Sequence, residues 1–140
     1  MVKDYTLQWL LKAANDLQVM RNESAVEAPR KVTEAVCFHA QQAVEKFLKG
    51  YLAEKNIEFG RTHNLQMLLK LCADTDSEFK ALDMGNLTDY AVEVRYPDDF
   101  YSPTAAEAAE GARIAEAAAK FVLNKLQVSE KDLRNRPLPA

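Results

Sequence analysis

The chain has 140 residues, the size of one ordinary domain, and is long enough to bury a core without a disulfide or metal staple. Only four glycines and five prolines, with 48% hydrophobic residues, exclude a disordered, collagenous or turn-rich all-β chain. A formal net charge of −3 argues against bulk attraction to nucleic acid or an anionic membrane, so any RNA or nucleotide binding must rest on a local patch.

The apolar spacing predicts a first helix over residues 4–21, with Trp9, Leu10, Ala13, Leu17 and Met20 on one stripe. Lys12, Asn15, Asp16 and Gln18 are expected to face outward. Residues 22–31 are polar, contain Pro29 and read as a loop. A second helix over 32–55 has so wide an apolar face (Val36, Ala40, Ala43, Val44, Phe47, Leu48, Tyr51, Leu52) that it belongs at the centre of a bundle. Gly50 within it costs about 1 kcal/mol relative to Ala and points to a close helix crossing.

A shorter third helix is expected over 64–73, with Thr62 or Asn64 as its N-cap. A fourth is expected over 77–94, and Gly85-Asn86 is the place where it would divide into two. Pro97 and Pro103 bracket a loop. The last helix, over 104–126, repeats alanine every third or fourth residue, which permits close approach to a neighbour. The expected architecture is all-α: an antiparallel up-and-down bundle of four long helices plus a short extra helix, spanning residues 1–128, followed by a flexible tail over 129–140.

Several chemistries lack their residues. No apolar run approaches the roughly 18 residues that span a bilayer, and the N-terminal residues do not have the layout of a secretory signal. Two histidines and two cysteines without CxxC or HxxxH spacing give no zinc pattern, and no glycine-rich phosphate loop or GxSxG elbow is present. The expectations are no metal, no cofactor, a cytoplasmic location and reduced, buried Cys37 and Cys72.

Three landmarks remain. The segment running from Cys37 through Phe38-His39-Ala40-Gln41-Gln42-Ala43-Val44-Glu45-Lys46-Phe47-Leu48-Lys49-Gly50 to Tyr51-Leu52 resembles the signature helix of the HEPN family. Thr62-His63-Asn64-Leu65 and Arg95-Tyr96-Pro97-Asp98 resemble that family's next two landmarks, in the right order, and the resemblance covers about residues 5 to 127. It implies an up-and-down helical bundle that homodimerises. It also implies kinship with metal-independent ribonucleases and with toxins paired with a minimal nucleotidyltransferase antitoxin. In such enzymes an arginine holds the phosphate, and a histidine that follows after four to six intervening residues moves protons to and from the ribose hydroxyl and the leaving oxygen.

This chain departs from that motif. Arg95 is kept, but Phe100-Tyr101-Ser102 contains no imidazole. Tyr101, six residues after Arg95, matches an arginine–tyrosine variant of the family, in which the partner attaches AMP to the tyrosine and silences the toxin. A phenol is ionised about one part in a thousand at pH 7, so as a base Tyr101 starts roughly 4 kcal/mol behind a group already in its basic form. The catalytic candidates are therefore Arg95 and Tyr101, with Tyr101 also the AMP acceptor. The candidates for nucleotide or RNA contact are Arg95, Lys46, Lys49 and His63.

Each has a plainer reading. Arg95 pairs with Asp98 or Asp99 or caps the preceding helix; Tyr101 packs under its loop. His39 is a hydrogen-bonded or exposed helix residue, and His63 caps or orients a loop. Gln41, Gln42, Glu45, Lys46 and Lys49 form a solvated polar band. The functional expectation is the toxin-like, RNA-directed half of a two-component module, with weak metal-independent RNase activity. The alternatives are a non-catalytic nucleotide-binding or partner-docking subunit of a nucleotidyltransferase, or a dimerisation module alone.

Overall fold

The computed structural model of the chain describes residues 1–90 and 102–135. The fold is all-α. Helix α1 (Asp4–Ser24) and α2 (Thr33–Glu54) are joined by a short loop and run antiparallel: Lys3 N donates to Glu54 Oε1 at one end, and Val32 N to Glu23 Oε2 at the other. Helix α5 (Ala105–Leu126) packs along α2 in the same direction, with Gly111 beside Cys37 and Ala40 near its start. Near its end, Phe121 packs on Phe79, which in turn packs on Tyr51. The arrangement is therefore up-and-down, with α2 at the centre. Val36, Cys37, Ala40, Ala43, Val44, Phe47, Leu48 and Leu52 are all at most 1% exposed, as the wide apolar face of that helix requires.

The close crossing expected at Gly50 is present. A Cβ there would stand 2.9 Å from Leu10 Cδ2 and 3.5 Å from Trp9 Cβ, so the absent side chain lets α1 lie directly on α2. Helix α3 (Leu65–Thr75) starts where Asn64 Oδ1 accepts from Met67 N, and α5 starts with a full capping box between Thr104 and Glu107.

The expected fourth helix is divided. Residues Ser77–Ala81 form a 3-10 turn, and the next helix, α4 (Leu87–Tyr90), begins only at Leu87. Asp83 Oδ1 accepts from Gly85 N, and Gly85 has φ +51°, which closes the connection and stops one helix from running through. Residues 91–101, with the remainder of that helix and the proline-bracketed loop's start, lie outside the described residues.

Two expectations need correction. Asp16, expected to face outward, has a side chain only 12% exposed and lies in the α1–α2 seam, because His39 and Lys46 on α2 converge on it. Residues 129–135, expected as part of a tail, carry helix α6 (Glu130–Arg134). Leu133 is buried against the bundle, and Arg21 binds Glu116 and Glu130 at 2.6 Å each, which pins α6 to α1 and α5.

Candidate functional site

The polar band of α2 is not a solvated face. Glu45 is 2% and Lys49 4% exposed, one helical turn apart. Such a pair is expensive to remove from water unless each charge finds a partner and the leftover hydrogen-bonding capacity is filled. Here Lys49 Nζ donates to Glu45 Oε2 at 3.0 Å, and the ammonium lies 5.3 Å from the Trp9 ring centre and 5.7 Å from that of Phe59. The two rings meet edge to face, so α1 and the loop after α2 together roof the cation.

The other side of Glu45 is taken by His63. Its Nδ1 lies 3.0 and 3.1 Å from the two carboxylate oxygens. A carboxylate accepts only, so the ring nitrogen facing it carries the proton and Nε2 is left bare in the neutral ring. His63 is 61% exposed at the side chain, whereas Glu45 is 3%, so the buried carboxylate orients an imidazole at the molecular surface.

The backbone around His63 is fixed from both sides. Thr62 Oγ1 accepts from Asn64 N at 3.0 Å, and Asn64 caps α3. Immediately beyond it, an open groove of about 470 Å³ is lined by Asn64, Gln66, Gly85, Asn86 and Thr88. Helix α4, which supplies Thr88, leads in sequence into the segment that carries Arg95 and Tyr101. The described chain resumes at Ser102, whose hydroxyl donates to Glu34 Oε1 near the start of α2.

A second carboxylate-centred cluster lies further toward the start of α2. Asp16 Oδ1 is 2.8 Å from His39 Nδ1, and Asp16 Oδ2 accepts from Lys46 Nζ at 2.5 Å. The His39 side chain is 28% exposed and its ring packs edge-on against Phe38, in keeping with the hydrogen-bonded helix residue expected of it.

The structure therefore brings Lys49 and His63 together through Glu45 and places Lys46 in the separate Asp16 cluster. Arg95 and Tyr101 fall outside the described residues. The sequence reading put Asp16 on an outward face and Glu45 in a polar band, and gave neither a buried partner. The available signal was the Glu45–Lys49 spacing on a helix whose neighbouring positions (Val44, Phe47, Leu48) are all apolar, which leaves no solvent for charges between them. Among the described residues, no group of three or more His, Cys, Asp or Glu could hold a metal ion, and no helix is long and apolar enough to cross a membrane.

The family model described as HEPN domain matches residues 6–127. No curated protein and no solved structure matches the chain.

Proposed function

We propose, from the premise that this chain belongs to the HEPN family, that it is the toxin-like, RNA-directed half of a two-component module whose other half is a minimal nucleotidyltransferase. The observation that carries the proposal is the family match over residues 6–127 together with the arginine kept at position 95. The chain acts as a homodimer in the cytoplasm, with Arg95 and Tyr101 of each copy in a shared cleft. Arg95 holds the phosphate, and His63 adds a second contact to the RNA. Lys46, a quarter exposed, adds positive charge beyond its pairing with Asp16. Lys49 is buried and serves by holding Glu45, not by touching a ligand.

The reaction is metal-independent transesterification of RNA, slow because Phe100 stands in the stretch where the family's motif carries histidine. AMP attached to Tyr101 by the partner places an anion beside Arg95 and competes with RNA for it. The missing histidine also favours a second reading, a non-catalytic subunit that binds nucleotide or docks the nucleotidyltransferase. RNA cleavage in EDTA by the wild type and by Arg95→Ala separates them. Loss of cleavage in the variant is the expected result, and equal rates rule out the role given to Arg95. An inert wild type that binds ATP in calorimetry favours the second reading.

A further inference from the structure

We propose that His63 is the proton acceptor of the RNA-directed site, with Glu45 as its positioning residue; this rests on the RNA-directed reading above. Four observations support the assignment. The imidazole is exposed while its anchor is buried, so one nitrogen is fixed and the other faces solvent. Lys49 already supplies the counter-charge for Glu45, so His63 takes up or releases a proton without stranding a buried anion. The flanking Thr62 and Asn64 bonds hold the ring's backbone in place before any ligand arrives. An open groove lies next along the chain, beside Asn64.

The substrate class is single-stranded RNA with a free 2′-hydroxyl. His63 Nε2 takes the 2′-hydroxyl proton as the 2′-oxygen forms its bond to phosphorus. The bond from phosphorus to the 5′-oxygen breaks, and that oxygen takes a proton from water. The products are a 2′,3′-cyclic phosphate and a 5′-hydroxyl, and His63 returns its proton to solvent. His39 is a poorer candidate for the same task, since its ring is less exposed and lies against Phe38.

The test uses the full chain and a labelled single-stranded RNA in EDTA. His63→Ala should lower the cleavage rate by at least about 100-fold with an unchanged circular dichroism spectrum. Free imidazole should restore part of the loss, which it cannot do for a residue that only holds a loop. Glu45→Gln still accepts a bond from Nδ1 but lacks the charge, and should lose less than His63→Ala. Cleavage by His63→Ala at the wild-type rate, or a loss that imidazole does not relieve, overturns the role of His63 and leaves the RNA-directed reading standing. A wild-type chain that leaves the RNA intact overturns both.

Discussion

At the residue scale, the Glu45–Lys49 pair decides how the site can be altered without losing the fold. Both charges are nearly dry, and breaking one side of such a pair leaves the other uncompensated, at a cost of about 3–5 kcal/mol. Lys49→Met isolates that effect, because the thioether still packs against Trp9 and Phe59 while the ammonium is gone. The cation–ring attraction is worth about 2 kcal/mol for a desolvated ammonium, less than the cost of the stranded carboxylate. Because His63 continues to donate to Glu45, the expected destabilisation lies near the lower end, about 3 kcal/mol in urea denaturation. The double variant Glu45→Gln/Lys49→Met, with no buried charge left, should be more stable than Lys49→Met alone. A double variant that loses the sum of the two single losses would show that the charges do not interact.

At the element scale, α6 is held by charge as well as by Leu133. The Arg21 guanidinium, and after it Arg134, hold the Glu130 carboxyl below the usual carboxylate range. A carboxylate whose folded pKa is depressed contributes stability that is complete above its unfolded pKa of about 4.3 and fades as pH falls through the folded value. Arg21→Met should therefore cost about 1–2 kcal/mol at pH 7, with the difference from wild type shrinking below about pH 5. Thermal unfolding across that pH range checks it, and a difference that stays constant down to pH 3 contradicts the assignment. Helices with an apolar stripe were legible in the sequence: α1, α2, α3 and α5 all begin within one residue of where periodicity and caps put them. Helix α6 was not, since one apolar residue, Leu133, makes no period, and its other anchors, the Arg21–Glu130 ion pair and the Arg134–Gln18 hydrogen bond, reach residues over a hundred positions away. Glu45 and Asp16 were missed for a related reason. A charged residue on a helix reads as solvent-facing until its partner is placed, and their partners His63 and His39 arrive from other elements.

At the scale of the whole molecule, net charge and site geometry constrain how RNA could be held. A net charge of −3 argues against bulk attraction to RNA, so the proposed contacts are local: Arg95, His63 and Lys46, the last already engaged by Asp16. Each phosphate neutralised on a single strand contributes about −0.7 to the slope of log affinity against log salt. Two or three phosphates per 15.8 kDa protomer therefore predict a slope no steeper than about −2, and a dimer that places two copies on one strand predicts about −4. Sedimentation equilibrium fixes which of the two applies, and fluorescence anisotropy with labelled RNA from low to physiological salt reads the slope. His63→Ala and Arg95→Ala should each make the slope shallower, the histidine only at a pH where its ring is charged. A markedly steeper slope would mean that RNA runs over lysines outside the cleft, and the local site proposed at His63 and Arg95 would not be what holds it.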